Sequence, residues 1–441
     1  MKKVLIFVLI ISAYLASCKK ADKSAFDKSP DERLNETLAA YQSQLSGAQN
    51  GWKALIQVDS GKGAIYSFYF KFNDANRVVM LSDFDSLSAV SPKESSYRLK
   101  ALQQPSLMFD TYSYLHVLSD PDPRVNGQNF GAGLLSDFEF YFDSASADNI
   151  KLVGRIHGSK LILIRATQAE EDLYNNGALA SGLNINKILT YFKRLTIGSQ
   201  LYDIRIDPVT RQFIFSWLDA SGNLVTFSTG YYFTAGGIGF TNPLVNGSQT
   251  ISGFSNISWN QATETINLTS GSTAATITGV VIPLKVDVSA PRRWWQYAVD
   301  NGNSYWISFN GFHINGIDDA LGLRSLTSGT DTYYALFYWP AVTTGNDAFG
   351  PFFLNAAGTS LVLAYVNAPA VPNFTTDGRA IFVNLGDYGP PNFLPYPATG
   401  PAALSKTLLY NSSGYYFVQT SATSYDMVSA ADGKAWISWE F

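Results

Sequence analysis

The sequence predicts a mainly β protein, antiparallel and arranged as a sandwich or an open barrel-like sheet, with an N-terminal helix and a helical linker. Three observations carry this. Tyr and Phe number 25 and 29 beside 35 Gly, a mixture that favours strands and turns over a helical bundle. Strand-forming runs such as Ile65-Tyr66-Ser67-Phe68-Tyr69-Phe70-Lys71-Phe72 recur along the chain, separated by Asn, Asp and Gly turn signals. Capping-box helix starts stand out at two places, Ser29 with Glu32 and Thr167 with Glu170.

The first helix begins at Ser29-Pro30-Asp31-Glu32, with serine at the N-cap and proline at the first helical position. Leu34, Leu38, Tyr41, Leu45 and Ala48 form one apolar stripe, and Asn50-Gly51 offers a stop. From Trp52 the period becomes two. Strands are expected over 65–72, through Val78 to Leu81, and over 96–102, 107–118, 137–142, 150–155 and 160–165. A broken helical region then runs to about Leu195, with Ile185, Ile188, Leu189 and Phe192 as its buried stripe. These limits give a β-rich domain with a helix at 29–198, a central β region at 199–290 and a C-terminal β-rich domain at 291–441. Strands of the last are expected over 305–309, 332–339, 360–365, 380–384, 414–419 and 435–441. No strict repeat appears, although the hairpin signals of the first two regions are loosely alike.

The N-terminus is a different kind of segment. Lys2 and Lys3 precede an apolar stretch over 4–15, shorter than the about 20 residues a helix needs to cross a bilayer. Residues 1–17 therefore read as a signal peptide. Cys18 is the single cysteine, which excludes an internal disulfide. Leu15-Ala16-Ser17-Cys18 resembles the lipobox of bacterial lipoproteins. That resemblance implies lipidation of Cys18 and cleavage before it, so that 18–28 becomes a tether and the lipid holds the chain to a membrane. Lys19, rather than an aspartate, points to the outer membrane.

Charged residues make up 15% of the chain and the net charge is −4, with no basic block, which removes the electrostatic case for nucleic acid. Between Ser221 and Ala290 the charged residues are Glu264, Lys285 and Asp287, so the central region presents a polar but uncharged β surface.

A family resemblance rests on Asp31-Glu32-Arg33-Leu34, Asn50-Gly51-Trp52-Lys53, Phe70-Lys71-Phe72, Ser95-Ser96-Tyr97-Arg98-Leu99, Phe109-Asp110-Thr111-Tyr112, Leu115-His116-Val117-Leu118-Ser119-Asp120-Pro121 and Asp137-Phe138-Glu139-Phe140. Together these resemble Bacteroidetes outer-membrane lipoproteins of domain-of-unknown-function family 4302. The resemblance implies a cell-surface location and partnership with SusC-like and SusD-like uptake proteins. It implies no activity.

Three histidines limit the chemistry. His116 with Asp120 and Asp122 offers one nitrogen and two oxygens for a metal, or a base with an orienting carboxylate. The competing reading is a strand-end histidine bonded to the turn at Asp120-Pro121-Asp122-Pro123. Asp137 and Glu139 alternate along a strand and so share one face, as paired acids of a glycosidase do and as any solvated strand also does. His157 and His313 read as exposed turn or strand residues. Trp294, Trp295, Trp306 and Trp339 offer flat rings for a sugar or polymer, against a reading as core; Trp294 and Trp295, taken as strand neighbours, face opposite sides. No catalytic residue and no cofactor is assigned. The expected function is a non-catalytic accessory in capture of a glycan or peptide nutrient. The alternatives are a hydrolase or cation-dependent enzyme around His116, Asp120 and Asp122, and a structural or adhesive surface module.

Overall fold

The computed structural model describes residues 28–127 and 130–441. Cys18 and the expected leader lie outside the described residues. By compactness the chain divides into a unit of residues up to Lys62, Phe68–Leu81 and Pro92–Glu171, and a second of Gly63–Ser67, Ser82–Ser91 and Asp172–Phe441.

The architecture is antiparallel β throughout, and the choice between sandwich and open barrel resolves into two closed eight-stranded barrels followed by a 13-stranded sheet. The first barrel is an up-and-down meander of β1 (Trp52–Gln57), β2 (Ile65–Phe72), β3 (Arg77–Ser82), β4 (Lys93–Ala101), β5 (Pro105–Phe109), β6 (Glu139–Ser146), β7 (Asn149–Gly154) and β8 (Lys160–Arg165). It closes by pairing β1 with β8, from Trp52 opposite Arg165 to Gln57 opposite Lys160. Closure removes the exposed edges that an open sheet would present.

Helix Pro30–Ser46 starts with the expected capping box and packs on this barrel through Leu45, which is fully buried, and through Tyr41, whose ring stacks on Phe142 at 3.7 Å. Its end comes earlier than Asn50-Gly51, at Gly47. A second difference concerns 107–118, expected as one strand. The strand stops at Phe109, and Tyr114–Val117 and Pro123–Asn126 are short helices. Leu115 and Leu118 are both fully buried, a spacing of three that suits a helical turn and not a strand.

The linker helices are shorter than expected, Gln168–Asn175 and Leu179–Gly182, separated by Gly177 at a φ of +74°. Phe192, placed by periodicity in a helical stripe, instead opens β9 (Phe192–Ile197). The second barrel needs that strand. It runs β9, β10 (Gln200–Asp207), β11 (Gln212–Leu218), β12 (Leu224–Thr234), β13 (Gly237–Asn246), β14 (Gln249–Asn260), β15 (Thr265–Ser270) and β16 (Thr273–Val280), and closes by pairing β16 with β9. Its interior is filled by rings: Phe213 lies 4.6 Å from Phe215, 5.1 Å from Phe240 and 5.9 Å from Phe254.

One inward position of this barrel is a lysine. Lys193 sits opposite inward-facing Ile204 on one side and Gly279 on the other, and its Nζ donates to the Thr190 carbonyl at 2.7 Å. Desolvation lowers its pKa from 10.5 to about 8. Because the folded pKa lies below the unfolded one, the unfolded chain binds the extra proton between those values, and stability rises with pH across that window. Urea unfolding should show a gain of about 1–2 kcal/mol between pH 8 and 9.5. Lys193→Met should flatten that slope and raise the midpoint at pH 7; equal slopes in the two proteins would refute the assignment.

The C-terminal sheet wraps a core centred on Trp294, Trp306, Tyr338, Phe417 and Trp439. Here the sequence reading of Trp294 and Trp295 as strand neighbours is corrected. They lie on helix Ala290–Asp300, which Pro291 opens at a position where a missing N–H costs nothing. Beside this core, the fully buried Asp347 accepts from Trp295 Nε1 at 2.8 Å, Tyr338 Oη at 2.6 Å and the Ala341 N–H at 2.7 Å. Burial nonetheless pushes its carboxyl up.

Candidate functional site

The residues singled out around His116 are not brought together. His116 is sandwiched between Tyr112 and Phe138, with ring centroids 5.6 and 5.2 Å away. Its Nδ1 accepts from the Ser113 N–H at 3.2 Å and its Nε2 faces the Phe109 carbonyl at 3.2 Å. Burial pushes the imidazole below the usual histidine range. Asp120 is engaged by Tyr112 Oη and the Asp122 N–H, while Asp122 caps helix Pro123–Asn126 and pairs with Arg124 at 2.6 Å. Among the described residues, no group of three His, Cys, Asp or Glu side chains forms a metal-holding arrangement.

Asp137 departs further from expectation. It does not share a solvated strand face with Glu139, since β6 starts only at Glu139 and Asp137 is 3% exposed. Its carboxylate organises the β7–β8 turn, accepting from the N–H groups of Ile156 at 2.7 Å and Ser159 at 3.2 Å, and from Ser159 Oγ at 2.7 Å. His157, in this turn, contributes its N–H to Asp137 at 3.0 Å. Gly154 makes room: a Cβ there would stand 1.9 Å from Asp137 Oδ2. Asp137→Ala should therefore cost about 2–4 kcal/mol by stranding these donors. Gly154→Ala should be as damaging alone but much less so in the Asp137→Ala background, as chemical denaturation of the four proteins would show. Additive losses would refute the coupling.

The tryptophans separate into two classes. Trp294 and Trp306 are fully buried and therefore offer no stacking platform; Trp306 Nε1 donates to the Trp294 carbonyl at 3.0 Å. Trp295 and Trp339 are half-buried, the first bonded to Asp347 and the second to the Asn303 carbonyl at 2.7 Å. Trp295 packs against the core around Trp294, and Trp339 against a second cluster containing Phe337 and Phe352.

A cleft forms elsewhere in the second unit, at the seam where β9 and β16 of the second barrel pack on the C-terminal sheet. The seam itself is apolar: Phe192, Tyr416 and Val428 are buried, with Tyr191, Val280 and Trp436 against them. Beside it opens a cavity of about 600 Å³. One wall is the outer face of the barrel, where Arg205, Ile214 and Ser228 stand in one cross-strand row and Gln212 neighbours them. The other is His313, Trp436 and Ser438. His313 and Trp436 are directly opposed across two strands, and their rings stack 5.1 Å apart at 5°. His313 Nε2 lies 3.4 Å from Asp318 Oδ1, which orients the imidazole. Behind Trp436, Tyr191 donates to Asp426 Oδ2 at 2.6 Å, and burial raises the phenol well above its usual range. Such a surface, flat rings on one side and hydrogen-bonding side chains on the other, can hold an amphipathic ligand.

Sequence reasoning placed His313 on an exposed element but did not select Trp436, Arg205, Gln212 or Ser228. A signal existed for Trp436. In Ala435–Glu440, the residues Ala435, Ile437 and Trp439 form the buried face and Trp436, Ser438 and Glu440 the other, so one tryptophan belongs to the polar side.

Comparison with known proteins adds little to the chemistry. No curated protein matches the chain. Among solved structures, it is similar to the octameric penicillin-binding protein homologue from Pyrococcus abyssi, at 11% identity over 33% of this chain and 36% of that one, with a TM-score of 0.15. The chain thus spans about a third of that relative's length. A protein with unknown function from the DUF3598 family of Nostoc punctiforme aligns at 12% identity over 75% and 99% of the two chains, with a TM-score of 0.16. A DNA polymerase III subunit beta sliding clamp from Bartonella birtlesii aligns at 10% identity over 91% and 97%, also at 0.16. Scores of this size carry no argument about fold or function. The family comparison is different in kind, because it spans residues 22–261, taking in the whole first barrel and the second as far as the end of β14. That is more than half of the 441 residues, and the chain belongs to the family described as Domain of unknown function (DUF4302).

Proposed function

We propose that this protein is a surface-exposed outer-membrane lipoprotein that binds a glycan or peptide as a non-catalytic accessory to a SusC/SusD-like nutrient-uptake system. The observation that carries the binding part is the seam cleft, in which the paired His313 and Trp436 rings face Arg205, Gln212 and Ser228 across about 600 Å³. The location rests on the leader and on Cys18 following Leu15-Ala16-Ser17. No helix among the described residues is long and apolar enough to cross a membrane. In this reading the acyl chains on Cys18 hold the protein to the bilayer, each buried methylene contributing about 0.8 kcal/mol.

The test is a pull-down of the tagged, lipidated protein from its native outer membrane, with polymer binding measured on the same preparation. Co-recovery of a transporter with its capture lipoprotein, and at least tenfold weaker polymer binding by Trp436→Ala, is the expected result. Recovery of the chain alone, with polymer affinity unaffected by Trp436→Ala, would overturn the proposal.

A further inference from the structure

One end of the second barrel, its mouth, borders a cavity lined by the segment 187–190 and by Trp259. At the end where β14 turns into β15, Trp259 stands directly opposite the inward-facing Ile266, so the indole belongs to the barrel's inner face. On β16 the inward series Ala275, Ile277 continues to Gly279, which contributes no side chain. That absence is required, because a Cβ at Gly279 would stand 2.6 Å from Thr190 Oγ1. Thr190 and Ile188 fill that position, and beside them lies a cavity of about 320 Å³ lined by the segment 187–190 and Trp259, at the small end of the about 300–1,000 Å³ typical of ligand pockets.

Its lining divides by chemistry. Trp259, Leu189 and Val281 supply apolar surface. Four charged residues stand at the rim, two of each sign: Lys187, Lys434, Glu264 and Asp432. Glu264 and Lys434 neutralise one another at 2.9 Å, and the backbone of Glu264 is held at a φ of +49°, a conformation that costs a non-glycine residue energy. Asp432 accepts the Lys434 N–H at 2.9 Å and remains exposed to solvent, as does Lys187. A simple anion would meet two carboxylates there, and a simple cation two ammonium groups. A neutral sugar would leave both charges unused. The complement of an apolar floor under a rim of both signs is a small molecule carrying both charges and an apolar side chain.

We propose that the mouth of the second barrel binds a zwitterionic apolar amino acid or dipeptide, its side chain against Trp259, its carboxylate toward Lys187 and its ammonium toward Asp432. This site is separate from the seam cleft and stands whether or not the cleft binds a polymer.

The test is calorimetric titration of the full chain in detergent with Leu-Leu dipeptide, using N-acetyl-leucinamide and maltose as uncharged competitors. Saturable dipeptide binding is expected, neither competitor displacing it, with at least tenfold weaker binding by Lys187→Glu and by Asp432→Asn at unchanged melting temperature. Both substitutions lie on the exposed rim, so they keep the test readable if Trp259→Ala destabilises the barrel. Absence of dipeptide binding by the wild type, or equal binding by both rim variants, would overturn the site. Competition by N-acetyl-leucinamide at equal affinity would overturn the zwitterionic class. Trp436→Ala, which lies in the cleft, should leave dipeptide affinity unchanged, so the two proposals fail separately; a loss there would count against a distinct mouth site.

Discussion

Arg211→Ala should cost about 3–5 kcal/mol of stability, the expected penalty for removing one partner of a buried ion pair. Arg211 and Asp83 both lie in the second unit, 6% and 0% exposed. The guanidinium donates to Asp83 Oδ2 at 2.7 Å and to Oδ1 at 3.2 Å, and Asp83 also accepts the Ser67 N–H at 2.9 Å. Arg211 further lies over the rings of Tyr66 and Phe233, at 4.5 and 4.9 Å. Alanine would remove the countercharge and the stacked plane together, leaving a fully buried carboxylate with one backbone donor. The pair itself need not stabilise the fold relative to a neutral replacement, because burying two charges costs several kcal/mol before their attraction returns it. Asp83→Asn with Arg211→Met should therefore recover most of the loss: asparagine keeps an acceptor for Ser67, and methionine keeps contact with the two rings. Urea unfolding of the wild type, the single variant and the double variant decides the matter. A loss below about 1 kcal/mol for Arg211→Ala would show that water or a rearranged neighbour replaces the guanidinium.

Trp294→Ala should be of similar size, about 3–5 kcal/mol, for a different reason. The indole is fully buried, with Tyr338 and Phe417 each 4.9 Å away and Trp306 at 6.0 Å. These three large rings cannot collapse into the space without leaving their rotamers, so most of the cavity would persist. Among the described residues Trp294 Nε1 has no hydrogen-bond partner, so replacing the indole by a smaller ring strands no polar group. Trp294→Phe should accordingly cost well under half as much as Trp294→Ala. Chemical unfolding with near-ultraviolet circular dichroism would read both. Equal losses for the two variants would mean that the site rejects any change of shape, and an alanine variant within about 1 kcal/mol of wild type would show that this ring is not central to the core.

Much of the local structure was legible because it is decided over a few residues. The capping boxes at Ser29 and Thr167 are present as read, with Glu32 Oε2 2.8 Å from the Ser29 N–H and Glu170 Oε2 2.9 Å from the Thr167 N–H. The strand 160–165 has the expected limits, and β2 spans the run 65–72. Where local pattern misled, a longer-range partner had decided. Phe192 fits a helical stripe, but β16 offers it a place opposite Val280 that completes a barrel. Trp294 and Trp295 fit a strand, but they lie on a helix that Pro291 opens and that places Trp294 in the core of the C-terminal sheet. Asp137 fits a solvated face, but the turn at Ile156 to Ser159 has N–H groups that only a buried acceptor satisfies.

The sequence by itself determined a β-rich antiparallel chain with one N-terminal helix, an apolar N-terminal run before a single cysteine, and a family whose motifs lie in the first half. Each is a property of neighbours along the chain: side-chain period, caps, and the order of charge, apolar run and small residues. Only the tertiary structure decided that the sheets close into two barrels, that Trp436 and not Trp294 lines an open cleft, and that Trp259 lines a cavity with the segment 187–190. Closure depends on pairing strands that are more than 70 residues apart in sequence, as Phe192 with Val280 and Trp52 with Arg165. Whether an aromatic ring fills a core or faces solvent depends on what packs over it, and period-two alternation reports only that two faces exist.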